Sequence, residues 1–405
     1  MPTQSTAQVI VVGAGPAGAS AAFFLAQAGV DVLLVDQAVF PRDKPCGDGV
    51  TSSGLEVLAQ MGLADWVTDN GFQEPKELLL MSPNGTVACK RPDPRKGLSF
   101  GYVIPRLRLD AALVERAVAA GTRLQEGTRI AGMERLGRHR IRLTGCAAQR
   151  SVTLETSLVI AADGGQSSFT RRLGLAPAPP ELIAVRGYME GDTGDPELLE
   201  IHWEKSTLPG YSWLFPMGGG RLNVGVGVCS KVVRRRRLDL RRQLQMFLMK
   251  NPRPRARLEH ARFISPVEGH PLRTDADRVT PLADNVLIVG EAAGLVNPLT
   301  GEGIAPALEC GEMAAVFARR ALESGDFSAT GLAAYGCAFH QRFDCIHRSA
   351  RILRWLLSYP WIANRVVRRA RHDHDFALLM GYIIIGLTSP ATALKPSVVA
   401  RILAG

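Results

Sequence analysis

The chain has 405 residues, 46% of them hydrophobic, a composition ordinary for a soluble globular protein and long enough for two or three interleaved domains. Its seven cysteines are odd in number and include no C-x-x-C pair, which argues against a disulfide framework and against a zinc or other metal site. The net charge of +10 is concentrated in arginines such as Arg234 to Arg237 and Arg365, Arg368, Arg369 and Arg371; it suits an anionic ligand, an acidic protein or a membrane surface, or is a solvated face, whereas nucleic acid is not expected because these clusters lack interleaved aromatics.

The first organised stretch is Val9 to Asp36, VIVVGAGPAGASAAFFLAQAGVDVLLVD. Val9 to Val12 is short and β-branched, as a buried parallel strand should be, and runs into Gly13-Ala14-Gly15-Pro16-Ala17-Gly18 and a helix. In such a turn Gly13 allows the tight bend, Gly15 lets a pyrophosphate approach the backbone, and Gly18 lets helix and strand pack closely. A second strand, Val32 to Val35, ends at Asp36, where a ribose hydroxyl is usually held. The unit predicts a dinucleotide site and leaves FAD and NAD(P) both open. No basic segment precedes this apolar stretch and glycines interrupt it, so it does not read as a signal peptide, and a cytoplasmic protein is expected.

Next comes the turn-rich loop Phe40 to Gly49, with Cys46 between Pro45 and Gly47. Thr51 or Ser52 is expected to cap an amphipathic segment from Gly54 to Met61. Glu77 to Lys90 reads as a hairpin turning at Asn84-Gly85, and because it interrupts the α/β pattern it is assigned to a second domain. Arg106 precedes a helix at Leu109 to Ala120. Two β segments around Ile141 and Val152 lead to the buried strand Leu158 to Ala161, ending in Asp163-Gly164. Glu181 to Val228 is a β-rich layer, followed by a helix from about Leu238 to Met249 whose start overlaps the arginine run. Asn285 to Gly294 repeats the strand-plus-glycine signal and is followed by Pro298 to Gly303 and a helix to about Leu322. The glycine-containing turn at Pro298 to Gly303, with the helix N-terminus behind it, would stabilise negative charge.

From about Ser328 onward the chain reads as helices. Trp355, Leu356, Leu357, Tyr359 and Trp361 suggest a lid or apolar wall, and the apolar run Phe376 to Leu387 is too short to span a bilayer but could lie on one. The fold class is thus α/β: a Rossmann-type FAD-binding domain (1–75, 100–175 and 275–325), an inserted β-rich substrate domain (76–99 and 176–274) and a C-terminal helical region (326–405).

Three separated motifs, GAGPAG, AADG at Ala161 to Gly164 and VGEAAG at Val289 to Gly294 followed by PLTGEG, together resemble the flavoproteins built like aromatic hydroxylases. Within that group, KPCGDG at Lys44 to Gly49 and PGYSWLFP at Pro209 to Pro216 resemble the geranylgeranyl reductase family, including its bacterial branch that saturates the menaquinone side chain. The resemblance implies FAD. It assigns Gly13, Gly15, Ala17 and Gly18 to the pyrophosphate turn, Asp36 to the adenosine ribose, and Arg106 and Asp163 to supporting contacts. Cys46 and Gly47 fall on the loop near the flavin, and Gly290, Glu291, Pro298, Gly301 and Gly303 fall along its working half. This chain has Asp36 where the family usually has Glu, and Glu291 where it usually has Asp.

The implied reaction is reduction of isolated alkenes in a polyprenyl chain, which requires a hydride at one carbon and a proton at the other. Cys46 and Tyr211 are the candidate catalytic residues, and Tyr211, Trp213 and Phe215 would line the groove for the chain. Cys46 could equally be small apolar filler. A flavin-dependent monooxygenase or halogenase is the rival reading, and a flavin-containing redox sensor a third. NAD(P)H, ferredoxin or a quinone pool could supply electrons, since no second dinucleotide motif is legible. The basic surface would suit an acidic carrier or anionic lipid, the latter placing the protein peripherally at the inner face of the membrane.

Overall fold

A computed structural model of the chain describes residues 3–90, 100–166, 169–175 and 178–403. Stretch 91–99 of the expected substrate domain and residues 404–405 of the helical region lie outside the described residues.

The central sheet has six strands in the order Leu282–Ala283, Val286–Ile288, Leu158–Ala161, Val9–Val12, Val32–Val35, Arg123–Gln125. All neighbours are parallel except the first pair. Every residue of Val9–Val12, Val32–Val35 and Leu158–Ala161 is buried, because helices and side chains of a smaller sheet, among them Ile141, Leu143, Val152 and Leu154, share its core and leave no polar face to alternate with the apolar one. Helix Pro16–Gln27 packs against both Arg106–Ala119 and Ile304–Ser324. Its approach to the latter is close enough that a Cβ on Gly311 would lie 2.3 Å from the Ala17 carbonyl oxygen. Ser20 fixes the same contact by donating to the Leu308 carbonyl at 2.8 Å.

A smaller sheet joins Thr3–Thr6, Arg150–Thr156, Ile141–Ala147 and Thr128–Arg135. The large antiparallel layer runs Arg262–Phe263, Leu182–Glu190, Arg221–Cys229, Tyr211–Gly218, Leu198–His202, Glu77–Met81, Val87–Lys90, with Glu268–Leu272 also paired to Leu182–Glu190. The hairpin at residues 77–90 therefore joins the later β block, through a parallel pairing of Glu77–Met81 with Leu198–His202. Two-residue alternation puts Ala184 and Arg186, Ile201 and Trp203, and Tyr211, Trp213 and Phe215 on the face that lines a cavity between this layer and the central sheet.

Helices Ala333–Leu356, Pro360–His372, His374–Ile384 and Pro396–Leu403 form the C-terminal region. Ala363, Val366, Val367, Phe376 and Ala377 pack with Leu78, Leu80, Ala88, Ile201 and Trp203 in one apolar cluster, so these helices cover the far end of the large sheet and wall the cavity there. No described helix is long and apolar enough to cross a membrane.

Two local expectations are corrected. Thr51 does stand at the N-cap of Ser52–Gln60, but its hydroxyl makes no capping bond and donates instead to Glu302. The arginine run lies within a helix of its own, Ser230–Arg236, which Arg237 ends in the left-handed conformation (φ 52°). A separate helix, Leu240–Lys250, then starts where the Asp239 carboxylate accepts from the Arg241 and Arg242 amides.

Candidate functional site

The glycine turn after Val9–Val12 opens on one end of the cavity. Gly13 has φ +103°, and a Cβ there would fall 2.3 Å from the Ala162 carbonyl oxygen, so the turn admits only glycine. Gly15 precedes Pro16–Gln27, and the position its Cβ would take lies 3.7 Å from Arg42 Nη2 and 4.0 Å from Arg106 Nη2. Both guanidinium groups are held by one buried carboxylate: Arg106 donates to Asp110 at 2.7 and 2.6 Å, and Arg42 at 2.7 Å. Two cations on a single anion beside a helix N-terminus leave net positive charge facing the turn, which suits a pyrophosphate.

At the end of the next strand, the Asp36 carboxylate accepts from the Ala14 amide at 2.6 Å and the Ala38 amide at 2.8 Å, and it lines the cavity. Asp163 accepts from the Thr170 hydroxyl at 2.6 Å. Ala17 also lines the cavity, whereas Gly18 and Gly290 do not. A Cβ on Gly18 would lie 1.8 Å from the Gly13 oxygen, and one on Gly290 2.7 Å from the Ala17 Cβ, so both positions serve close backbone packing.

Farther along, Glu291 pairs with Lys44 Nζ at 2.9 Å and His270 Nε2 at 3.3 Å. Burial would raise its pKa, but the Lys44 ammonium and the contact with His270 outweigh burial and hold it below the usual carboxylate range. Its Oε1 is buried without a hydrogen-bond partner. An orphaned carboxylate oxygen beside the cavity is an acceptor suited to a ligand hydroxyl.

The Cys46 loop is held from the large sheet. Asn223 donates to the Cys46 carbonyl at 2.7 Å and to Asp48 at 2.9 Å, and accepts from Trp213 Nε1 at 2.9 Å. The Trp213 ring lies over Gly225, where a Cβ would come within 2.1 Å of it, and Phe215 lies beside Gly47, 3.4 Å from where a Cβ would stand. The same Asp48 oxygen accepts from the Tyr188 hydroxyl at 2.6 Å, while Oδ1 has no partner. Burial pushes the Asp48 carboxyl up to about 6, against the pull of Tyr188 and Asn223. Cys46 is also raised, by burial first and then by Asp48, so it is held as the thiol.

Opposite this loop is the Pro298 to Gly303 turn. Tyr211 donates its hydroxyl proton to the Thr300 carbonyl, and burial raises its pKa. Beside it Glu302 receives the Thr51 hydroxyl, and burial pushes its carboxyl up to about 7. Pro298, Gly301, Glu302 and Gly303 all line the cavity, as do Cys46, Gly47, Tyr211, Trp213 and Phe215. Apart from Gly18 and Gly290, the structure thus brings the sequence candidates into one space of about 1000 Å3, at the upper end of ligand pockets and sufficient for a cofactor plus part of an apolar chain. Leu357, Met380 and Ile384 continue the wall in apolar side chains. Of the aromatic and leucine cluster, Leu356, Leu357 and Trp361 line the cavity, whereas Trp355 and Tyr359 face outward.

Sequence reasoning missed Arg42, Lys44, Asp48, Asn223 and Glu302. Lys44 and Asp48 stood inside the quoted KPCGDG, and Glu302 inside TGEG, a carboxyl between two glycines at a helix start. Asn223 had a weaker signal, an amide at a strand position where its neighbours are apolar.

Two family models match the chain: an FAD binding domain over residues 6–190 and a geranylgeranyl reductase catalytic domain over residues 182–269. A menaquinone reductase of Mycobacterium tuberculosis is 35% identical over 323 residues, covering 78% of this chain and 77% of its own. A digeranylgeranylglycerophospholipid reductase of Methanopyrus kandleri is 33% identical over 373 residues, covering 85% and 90%. Among solved structures, a geranylgeranyl bacteriochlorophyll reductase-like protein from Thermoplasma acidophilum superposes with a TM-score of 0.81 at 24% identity, covering 97% of this chain and all of that one. A flavin-dependent brominase superposes with a TM-score of 0.74 at 17% identity, covering 96% and 97%, and shares the fold.

Proposed function

The chain belongs to the geranylgeranyl reductase family of FAD-dependent oxidoreductases, and from that membership we propose that it saturates carbon-carbon double bonds in a polyprenyl chain, such as the side chain of menaquinone or a geranylgeranyl group. The observation that carries this reading is the continuity of the cavity: a polar end with paired cations and an orphaned carboxylate oxygen runs into an apolar end walled by the large sheet and the C-terminal helices.

The residues fit FAD. Gly13, Gly15 and Ala17 with Arg42 and Arg106 would hold its pyrophosphate, Asp36 its ribose, with Asp163 in support. Glu291, Pro298, Gly301 and Gly303 would flank its other half with Cys46 and Gly47. When bound and reduced, FAD supplies the hydride. The protein's own task is to bring an alkene carbon within reach, exclude water and deliver a proton to the second carbon. Cys46 and Tyr211 stay as proposed catalytic residues: Cys46 because it is held protonated at the loop, Tyr211 because its ring and hydroxyl fix the opposite wall. Glu302 is the proton reservoir, since a carboxyl poised near 7 in the same wall can hold a proton at neutral pH and release it. Trp213 and Phe215 shape the groove.

The division into an FAD-binding domain, an inserted substrate domain and a helical region follows the same reading. NAD(P)H or ferredoxin would supply electrons from the surface, and the protein would act in the cytoplasm, peripherally at the inner face of an anionic membrane. The head group is tested by incubating photoreduced protein anaerobically with menaquinone, geranylgeranyl diphosphate and a geranylgeranylated chlorophyll precursor. Saturation of at least one is expected. Turnover of none of them without oxygen, together with turnover in its presence, would favour the monooxygenase or halogenase instead.

A further inference from the structure

The exposed tryptophan and tyrosine side chains of the described residues lie in one place. Trp355 is 59% exposed, Tyr359 43% and Trp361 52%, and they follow one another from the end of Ala333–Leu356 into the start of Pro360–His372. Every other described tryptophan and tyrosine is buried or half-buried. The rings of Trp355 and Tyr359 pack edge to face at 5.6 Å, so they stand together above the surface. Ile352 and Leu403 are exposed nearby in sequence and fold, Leu403 on the helix that packs against Pro360–His372. Trp361 and Leu403 also line the cavity. The apolar cavity wall therefore runs out to solvent through these two side chains.

The adjoining helix adds charge of one sign. Pro360–His372 contains Arg365, Arg368, Arg369 and Arg371 and no acidic residue. Arg365 rests 5.8 Å from the centre of the Trp361 ring, and only Arg369 is given to a carboxylate, Asp373 at 2.6 Å, among the ion pairs formed by these four in the described residues. Aromatic rings with a polar edge, flanked by arginines at the mouth of an apolar cavity, match the boundary between lipid headgroups and acyl chains. A second copy of the chain fits this surface less well, since a two-fold contact would set the arginine helix against itself.

We propose that Trp355, Tyr359 and Trp361 form a docking rim by which the protein sits on an anionic bilayer, with the cavity mouth turned to the acyl layer so that a polyprenyl chain passes in without crossing water. The proposal rests on the polyprenyl reading above. It is tested with the full-length protein and vesicles of phosphatidylglycerol and phosphatidylcholine that contain no substrate. Co-sedimentation is expected at low salt and should weaken as salt rises. The double variant Trp355→Ser/Tyr359→Ser, neither of whose residues lines the cavity, should lower partitioning about tenfold. Its thermal midpoint and its turnover of a detergent-dispersed polyprenyl substrate should match wild type. Vesicle binding equal to wild type in the variant, or no wild-type binding at low salt, overturns the proposal. A wild-type dimer that the variant dissociates, without vesicle binding, overturns it in favour of self-association. Failure of the polyprenyl reading would appear separately, as absent turnover in detergent while the vesicle result stands.

Discussion

Asn223 Nδ2 lies 2.7 Å from the carbonyl oxygen of Cys46, joining a strand of the large sheet to a loop 177 residues earlier in the chain. The same amide group holds Asp48 and receives Trp213, so one side chain sets the distance between the loop and the aromatic wall. Asn223→Leu should leave the Trp213 N–H unpaired and remove one of the two donors to Asp48. A loss of about 1–3 kcal/mol in stability is expected, the cost of stranding buried polar groups, read from denaturant unfolding. Turnover should fall further than stability predicts, because the Cys46 loop loses its tether; an unchanged turnover would remove Asn223 from the positioning of the loop.

Cys46→Ala should keep FAD bound but lower alkene reduction by at least about tenfold, the lower range for a positioned acid or organising residue. FAD retention is measured by the absorbance of the purified protein. Wild-type turnover in the variant would leave Cys46 as packing alone.

Glu302 gives the site a pH signature. Its folded pKa of about 7 stands above the ordinary 4.5, so the protonated form dominates below 7 and is lost above it. Turnover should fall as pH rises through about 7, and Glu302→Gln should lower it about a hundredfold and abolish that limb. The stability sign follows from the same shift. Because the folded state holds the proton more tightly, Glu302's contribution is fully present below 4.5 and declines as pH rises through 7. Thermal midpoints across this range should show the decline in wild type and a weaker one in Glu302→Gln.

Much of this site was legible because its elements are local. The strand, glycine turn, helix and acid of Val9 to Asp36 lie in consecutive sequence, and the steric need for Gly13 is written into the motif itself. Asn223 and Glu302 were not legible for the opposite reason. Their roles depend on partners far away in the chain, Cys46 and Thr51, and burial, helped by the charge of Glu309, turns an ordinary glutamate into a group that titrates near neutrality. Thr51 shows the same limit, since its position predicted a capping bond and the tertiary partner took its hydroxyl.

On the proposed reading, a polyprenyl chain would end against the far wall. Met380 lines the cavity from the helix His374–Ile384, and Met380→Trp should shorten the apolar end by filling it. Turnover of a long polyprenyl substrate should fall several-fold more than that of a short one of the same head group. Equal losses for both would place the chain elsewhere.

The central claim is that this cavity adds hydrogen across an isolated alkene, and the mass of the product tests it most directly. Photoreduced wild-type protein is incubated with a polyprenyl substrate under strict exclusion of oxygen, and the product is read by mass spectrometry. The account predicts a product carrying two added hydrogens per saturated bond, formed without oxygen or halide. A product that gains oxygen or halogen and appears only in air, or a substrate returned unchanged, would contradict it.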